Sequence, residues 1–187
     1  MPQRERLTAT VLGDGGWGTA LAIHLHRLGH HVRWWGAFPD YLRVLDRQRE
    51  NRKFLPGIPI PRGIRLEPDL TAAVDQSRLI VLAIPSQYLR RVVRRLAASR
   101  PAARQAILLS VSKGVEQRSL KRMSEVIREE LGPVRPGVLS GPSIAAEVAR
   151  GQPASLVAAS STGHVALMIQ RWCMSDRFRI YTSSDVI

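Results

Sequence analysis

The amino-acid sequence predicts an α/β fold, a doubly wound and mostly parallel sheet with helices on both faces. Patterns typical of strands and helices alternate along the chain with no linker, repeat or low-complexity tract between them. The apolar run Leu79–Ile84 is continuous, as in strands that are buried on both faces. A glycine-rich turn near the N-terminus joins a short apolar strand to a helix with one apolar face. These observations favour parallel strands linked by helical crossovers.

The glycine-rich turn has the spacing G-x-G-x-x-G, with Gly13, Gly15 and Gly18 at the glycine positions. In such a turn the first glycine permits a tight bend, the second lets backbone N–H groups approach a pyrophosphate, and the third lets the helix pack closely on the strand. The phosphates would lie at a helix N-terminus, where unpaired N–H groups and the helix dipole favour anions. Because glycines also gather in ordinary turns, the prediction of a Rossmann-type dinucleotide site depends on the surrounding elements.

The elements around this turn fit one βαβ unit. Leu7–Leu12 is predicted as a buried strand, Thr19–Leu28 as a helix with Gly29 at its C-terminal cap, and His31–Trp35 as the second strand. A polar helix over about Pro39–Asn51 and a Pro/Gly-rich connector, Phe54–Pro61, follow. The further predicted strands are Leu79–Ile84, Ala106–Val111, Gly137–Ser140, Ala154–Ala159 and Phe178–Tyr181. The further predicted helices are one capped by Asp69 that runs through Val74, one capped by Ser86 that runs to Leu96, Ser119–Leu131, Ser143–Arg150 and one around Trp172.

The charge balance is strongly basic, with 28 Lys and Arg against 15 Asp and Glu and a formal net charge of +13. Such a charge ordinarily suggests nucleic-acid binding. Here the basic residues are nearly all arginine, and the densest runs, Arg43–Lys53 and Arg90–Arg95, fit solvent faces of helices. Aromatic residues for base stacking are sparse, and neither a zinc-finger spacing nor a helix-turn-helix is evident. We therefore expect no nucleic-acid partner, and a basic non-catalytic nucleic-acid binder stays the alternative from a different class.

Other features of the composition limit the location of the protein. No stretch approaches the roughly twenty apolar residues of a membrane span, and the N-terminus carries no apolar signal-peptide core. Cys173 is the single cysteine, which excludes an internal disulfide framework and fits a reducing cytoplasm. It lies in a helical pattern, where we expect it to be buried filler. We expect a cytoplasmic protein with no membrane partner and no metal site.

Polar sequences follow three of the predicted strands: Pro85-Ser86, Ser112-Lys113-Gly114 and Ser140-Gly141-Pro142-Ser143. In sheets of this type ligands bind at the carboxyl ends of the strands. Lys113 is one of three lysines in the chain, and a compact ammonium suits a phosphate or a hydroxyl; a solvated surface lysine is the alternative. Ser143 opens a predicted helix, where an N-cap and a phosphate ligand are compatible roles.

These segments resemble, in order, the NAD(P)-dependent glycerol-3-phosphate dehydrogenases of the bacterial biosynthetic type. The matching landmarks are Gly13–Ala22, Asn51–Gly57, Ile84–Ser86, Ser112–Glu116, Leu139–Ser143 with Glu147, and Phe178–Tyr181. The resemblance implies NAD or NADP as cofactor. It also implies reversible hydride transfer between the nicotinamide and the sn-glycerol 3-phosphate/dihydroxyacetone phosphate pair, which supplies the backbone of phospholipids.

The resemblance implies roles for individual residues. The cofactor contacts that it implies are Gly13, Gly15, Gly16, Trp17, Gly18, Ala37, Phe54, Lys113 and Ala145, and the substrate contacts are Lys113, Gly141 and Ser143. Family members continue into a helical domain that carries the proton-transferring lysine. We therefore expect residues 1–187 to be an NAD(P)-binding Rossmann-like domain with no catalytic residue and little or no turnover alone, and the full-length form to be a homodimer.

Two positions depart from the family's pattern. Asp14 stands where the family usually has alanine, and its carboxylate would weaken pyrophosphate binding unless the side chain turns to solvent. At Ala37 the chain offers neither an acidic residue for a ribose 2′-OH nor an arginine for a 2′-phosphate, so NAD and NADP both stay open. Two-domain dehydrogenases of the 6-phosphogluconate or ketopantoate type share the glycine-rich turn and are a further alternative. They would not predict Lys113-Gly114 and Gly141-Pro142-Ser143 in this register.

Overall fold

An eight-stranded sheet with helices on both faces organises residues 5–97 and 105–186, which are the residues that the structure, a computed structural model, describes. The strands are β1 Thr8–Leu12, β2 His31–Trp35, β3 Glu50–Asn51, β4 Leu55–Pro59, β5 Arg65–Leu66, β6 Leu79–Leu82, β7 Ile107–Ser110, β8 Gly137–Ser140, β9 Ala154–Ala159 and β10 Phe178–Ser183. The helices are α1 Gly16–Arg27, α2 Pro39–Gln48, α3 Leu70–Val74, α4 Ser86–Leu96, α5 Met123–Leu131, α6 Ala145–Ala149 and α7 Gly163–Cys173.

The strand order in the main sheet is β10-β9-β8-β7-β6-β1-β2-β5. Strands β8 and β9 run antiparallel, and every other neighbouring pair in this sheet is parallel. The predicted doubly wound, mostly parallel α/β sheet is therefore confirmed. Strand β1 pairs with β2 on one side and with β6 on the other, so the chain order reverses at β1. Ligands of such sheets bind at the carboxyl ends of the strands beside this reversal.

Two apolar clusters, one on each face, hold the helices to the sheet. Alternate residues of β6 belong to opposite clusters: Leu79 and Val81 pack with α1, whereas Ile80 and Leu82 pack with α4 and α5. This division follows from the two-residue period of a strand, since successive side chains point to opposite faces. Cys173 of α7 is buried in the first cluster, so the prediction of buried filler is confirmed.

Helix α1 ends just before Gly29, the glycine that the sequence predicts at its C-terminal end. Its last helical residues are followed by Leu28 as the C-cap and by Gly29 with φ of 90°. The Gly29 N–H donates to the His26 carbonyl at 2.9 Å and the His30 N–H donates to the Leu25 carbonyl at 3.2 Å. This pair of bonds is the Schellman arrangement, which satisfies carbonyl groups that the end of a helix leaves unpaired. The predicted cap of α3 is also confirmed, since Asp69 Oδ1 accepts from the Ala72 N–H at 2.7 Å.

The segment after α2 differs from the prediction. The polar helix stops at Gln48 rather than at about Asn51, because Arg49 adopts a left-handed conformation with φ of 52°. The Pro/Gly-rich connector is not irregular: β3 and β4 form a small antiparallel hairpin there. Strand β5 was not predicted and extends the main sheet beside β2.

Three predicted helix starts are also wrong. Helix α5 begins at Met123 and not at Ser119, because Leu120 has φ of 56°, which a helix does not accommodate. Helix α6 covers Ala145–Ala149 with Ile144 as its N-cap, so Ser143 is not a capping residue. Ser86 is the first residue of α4 rather than its cap, and the cap position belongs to Pro85.

The arginine-rich run of α4 is a solvent face only in part. Arg91 and Arg95 are exposed, but the Arg90 side chain is 24% exposed and bridges three carboxylates. Its guanidinium donates to Glu116 at 2.7 Å, to Glu129 at 2.8 Å and to Glu130 at 2.7 Å. The hydrogen bond from Arg90 is the main reason that the pKa of Glu116 falls to about 2. This cluster fastens α4 to α5 and to the turn before α5.

We expect the Arg90 cluster to make stability depend on acid. The pKa of Glu116 is lower in the folded chain than its ordinary value of 4.5, so its stabilising effect is complete above about pH 4.5 and is lost as the pH falls toward 2. Arg90→Gln should therefore lower the melting temperature at pH 7, and the difference from the parent chain should shrink below pH 4. Thermal unfolding followed by circular dichroism from pH 7 to pH 3 measures this. Arg91→Gln is the matched control, and a difference that stays constant with pH would contradict the assignment.

Among the helices of the described residues, none has the length and apolar character that crossing a membrane requires.

Candidate functional site

The loops that follow β1, β6 and β7 meet at one edge of the sheet. A Cβ placed on Gly13 would lie 2.1 Å from the carbonyl oxygen of Ala83, so these two loops are in direct contact. The Ser112 hydroxyl donates to the Ile84 carbonyl at 2.5 Å and joins the loops after β6 and β7. A Cβ on Gly114 would lie 3.3 Å from Ser86 Oγ, at the start of α4. The structure therefore brings together the glycine-rich turn and two of the three polar strand ends.

Tryptophan and glycine contacts hold the glycine-rich turn against β2. The Gly13 N–H donates to the Trp35 carbonyl at 2.9 Å, and Trp34 Nε1 donates to the Gly13 carbonyl at 2.8 Å. A Cβ on Gly18 would lie 2.1 Å from that same Gly13 carbonyl oxygen. Helix α1 therefore lies against the turn at a distance that only a glycine at position 18 permits.

The position of Gly15 is open. A Cβ on Gly15 would meet no atom within 4 Å, and Gly15 is the N-cap of α1. Within the part of the chain that the structure describes, no side chain caps α1 and no acidic residue lies in its first turn. The first N–H groups of a helix have no partner inside the helix, and the dipole makes this end positive. The open space beside Gly15 can therefore hold an anionic group. The backbone N–H groups at the start of α1 fit a dinucleotide pyrophosphate.

Gly16, Phe54 and Ala145 come from distant parts of the chain and meet at the start of α1. A Cβ on Gly16 would lie 2.6 Å from the Phe54 carbonyl oxygen and 3.8 Å from Ala145 Cβ. The Phe54 ring is 45% exposed at this edge, and Lys53 Nζ lies 4.9 Å from its centroid. Trp17 is partly buried against the core. Ala37 is exposed after the end of β2, on the other side of the turn.

The three predicted substrate residues follow neighbouring strands. Lys113 comes after β7 and Gly141 after β8, and these strands pair in parallel, so both residues leave the same edge of the sheet. Lys113 is exposed. A Cβ on Gly141 would lie 2.8 Å from the Ser155 carbonyl oxygen, so this residue packs on β9. Ser143 Oγ lies 3.5 Å from the Gly141 carbonyl. Within residues 5–97 and 105–186, no hydrogen bond joins Lys113 to Gly141 or Ser143.

Asn51 is a structural residue of the site to which sequence reasoning gave no role. It is fully buried, and its amide nitrogen donates to the Asp14 carbonyl at 2.9 Å and to Thr19 Oγ1 at 2.7 Å. Its amide oxygen accepts from the Tyr41 hydroxyl at 2.5 Å and from the Phe54 N–H at 3.2 Å. A single side chain thus fastens the glycine-rich turn to the β3–β4 hairpin. The polar residue that opens the Asn51–Gly57 landmark is the signal that could have indicated this role.

The Asp14 side chain lies over the end of β2. A Cβ on Gly36 would lie 2.5 Å from Asp14 Oδ2, and this oxygen is buried and has no hydrogen-bond partner among the described residues. Burial raises the pKa of the Asp14 carboxyl, against the opposing effects of its own backbone N–H and of Lys53. The Asp14 Oδ2 atom therefore does not face solvent. A carboxyl group that faced solvent is the orientation expected to leave pyrophosphate binding unweakened.

Several known proteins are similar to this chain in sequence. A family model described as NAD-dependent glycerol-3-phosphate dehydrogenase N-terminus matches residues 8–166. The chain is 42% identical over 178 residues to a glycerol-3-phosphate dehydrogenase (NAD(P)+) of Thioalkalivibrio sulfidiphilus, covering 95% of this chain and 53% of that protein. It is 43% identical over 182 residues to a protein of the same name from Chlorobium phaeobacteroides, covering 95% of this chain and 54% of that protein.

Solved structures agree with these sequence relatives. The crystal structure of glycerol-3-phosphate dehydrogenase from Coxiella burnetii superposes with a TM-score of 0.89 at 31% identity, over 97% of this chain and 55% of that chain. This chain thus spans about half the length of the curated relatives that it matches. The family model covers most of the described residues, including the glycine-rich turn, both neighbouring loops and the Gly141–Ser143 segment. The chain therefore belongs to the family of NAD-dependent glycerol-3-phosphate dehydrogenase N-terminal domains.

Proposed function

We propose that residues 1–187 form a dinucleotide-binding domain that holds NAD or NADP at the glycine-rich turn. The observation that carries this proposal is the open space beside Gly15 at an uncapped helix N-terminus. A pyrophosphate there would accept hydrogen bonds from the backbone N–H groups at the start of α1, and the helix dipole would favour its charge. Gly13 and Gly18 would support the site by letting backbone segments pack closely, because a side chain at either position would displace neighbouring backbone.

The remaining cofactor contacts extend from this phosphate position to both sides. Gly16, Trp17, Phe54 and Ala145 would line the cofactor on the side of the β3–β4 hairpin and α6, which their proximity at the start of α1 supports. Ala37 would face the adenosine end, beside the carboxyl end of β2. Lys113, from the loop beside β6, would contact the cofactor as well as the substrate.

We propose further that the whole enzyme interconverts sn-glycerol 3-phosphate and dihydroxyacetone phosphate, as the names of its relatives indicate. A bound nicotinamide would supply or accept the hydride. Lys113 would offer a cation to the negative groups of this small substrate, and Gly141 and Ser143 would contact it from the neighbouring strand end. Glycerol phosphate formed in this way would serve phospholipid synthesis in the cytoplasm, with the full-length enzyme acting as a homodimer.

Isothermal titration of the chain with NADH and NADPH tests the binding proposal. Gly15→Val places a branched side chain in the open space, so we expect dinucleotide affinity to fall by about 100-fold or more with little change in melting temperature. Gly163→Val is the matched control, because Gly163 also lies at the start of a helix with no atom within 4 Å of a Cβ, remote from the turn. Its affinity should equal that of the parent chain.

Two results would contradict the binding proposal. One is that the parent chain binds neither dinucleotide, and the other is that Gly15→Val binds as tightly as the parent. Salt-sensitive binding to duplex DNA that NADH does not displace would instead favour the nucleic-acid alternative, for which the net charge of +13 is the motivating observation.

A further inference from the structure

We propose that Asp14 recognises the adenosine ribose and makes this site selective for NAD over NADP. This inference rests on the proposed dinucleotide binding and assigns to Asp14 a task that sequence patterns place elsewhere. In dinucleotide-binding folds an acidic residue at the end of the second strand accepts a hydrogen bond from the ribose 2′-OH. Here that strand ends at Trp35 and is followed by Gly36 and Ala37, which have no such group.

In this structure the glycine-rich turn after β1 places the Asp14 carboxyl group at the end of β2. The Gly13 N–H bond to the Trp35 carbonyl sets the glycine-rich turn directly beside the end of β2. From there the Asp14 side chain reaches across Gly36: a Cβ at position 36 would lie 2.5 Å from Oδ2, 2.9 Å from Cγ and 3.0 Å from Cβ of Asp14. The space that the carboxylate occupies exists because residue 36 has no side chain. Asp14 and Gly36 therefore form a complementary pair.

The Asp14 carboxyl group also has an unsatisfied hydrogen-bond acceptor. Asp14 Oδ2 is buried without a hydrogen-bond partner in the described residues, and a buried polar oxygen in that state is destabilising. A ribose hydroxyl at the end of β2 would supply the missing donor, and charge-assisted hydrogen bonds of this kind are strong. A 2′-phosphate at the same place would put about two negative charges next to the carboxyl group, and ionisation of that group would then make the two repel each other. The same atom therefore favours one coenzyme and opposes the other.

Lys53 is the cation that acts on Asp14. Burial raises the pKa of the Asp14 carboxyl, and the charge of Lys53 opposes this effect only in part; the Lys53 ammonium lies 4.9 Å from the Phe54 ring centroid and 5.9 Å from that of Tyr41. Lys53 is exposed, whereas the Asp14 carboxyl lies over Gly36 at the end of β2, so a ribose bound at that strand end would lie beside the carboxyl. If Lys53 dominated recognition instead, NADPH would bind more tightly than NADH.

The test is isothermal titration of NADH and NADPH into the full chain and into Asp14→Ala, Asp14→Asn and Asp40→Ala. We expect the parent chain to bind NADH about tenfold or more tightly than NADPH. Asp14→Ala should weaken NADH and strengthen NADPH, so that their ratio moves by about tenfold or more. Asp14→Asn, which keeps an acceptor but removes the charge, should strengthen NADPH while holding NADH within about threefold. Asp40→Ala removes an equal charge from an exposed position and should leave the ratio unchanged.

Different results separate this inference from the proposed function. If the parent chain prefers NADPH, or if Asp14→Ala leaves the ratio unchanged, the assignment of Asp14 is overturned while dinucleotide binding stands. If Asp14→Ala strengthens both dinucleotides equally, Asp14 acts by repelling the pyrophosphate that they share, and the inference is again overturned. Binding of neither dinucleotide to any of the four proteins would overturn the proposed function and this inference with it.

Discussion

Gly13→Ala is expected to lower the free energy of unfolding by about 3–5 kcal/mol. Two effects add at this position. Gly13 has φ of 122°, a conformation that a residue with a Cβ adopts only under strain. The added Cβ would also lie 2.1 Å from the carbonyl oxygen of Ala83. Because that oxygen belongs to the backbone beside the central strand β6, it cannot move away without disturbing the sheet.

The matched control for Gly13→Ala is Gly15→Ala, two residues along the same turn. Gly15 has φ of −76°, which alanine adopts freely, and a Cβ there would meet nothing within 4 Å. Its stability should stay within about 1 kcal/mol of the parent chain. Urea unfolding followed by circular dichroism measures both variants. Equal stabilities for the two would show that the contact between the loops after β1 and β6 is looser than the structure indicates.

Asn51→Leu is expected to lower the free energy of unfolding by about 2–4 kcal/mol. Leucine nearly preserves the volume of the side chain but removes its four hydrogen bonds, leaving buried partners on the glycine-rich turn and on the β3–β4 hairpin without them. Affinity for the preferred dinucleotide should fall as well, because the turn loses the contact that fixes the Asp14 carbonyl. Chemical unfolding and isothermal titration measure the two effects.

Tyr41→Phe is the control for Asn51→Leu, since it removes one of the four hydrogen bonds and keeps the ring beside Phe54. It should cost about 1 kcal/mol and leave dinucleotide affinity close to that of the parent chain. The role given to Asn51 would be wrong if its variant were no less stable than Tyr41→Phe.

Local patterns in the sequence predicted most of the sheet and its core. The strands Leu79–Leu82 and His31–Trp35 depend on apolar runs, and the end of α1 depends on Gly29, the turn residue that follows it; short stretches of sequence contain both signals. The β3–β4 hairpin was missed because two prolines in Leu55–Pro59 cannot donate to a ladder and argue against a strand. The antiparallel pairing of β8 with β9 was missed for another reason, since pairing direction depends on long-range topology.

Some residues of the candidate site could likewise be predicted from the sequence, and others could not. The glycine positions were predictable because the packing that they permit recurs at a fixed spacing. The direction of the Asp14 side chain was not, since it depends on Gly36, which is distant in sequence and reaches position 14 only through the pairing of β1 with β2. The sequence shows that residue 51 is an asparagine, but it does not show its hydrogen bonds, because the four partners lie on four different segments. Folded contacts are needed to identify either role.

The reversal between β8 and β9 has a consequence for the architecture of the site. A crossover between parallel strands must traverse a face of the sheet, whereas a connection between antiparallel strands begins and ends at the same edge. The connecting stretch from Gly141 to Pro153, including α6, packs along α1: Ala145 lies near Gly16 at the start of that helix, and the Arg27 side chain at its other end donates to the Ala149 carbonyl at 2.7 Å. Because this stretch does not link two parallel strands, changes in its length or sequence would alter the contact between Ala145 and Gly16 while the pairing of the parallel strands stayed the same.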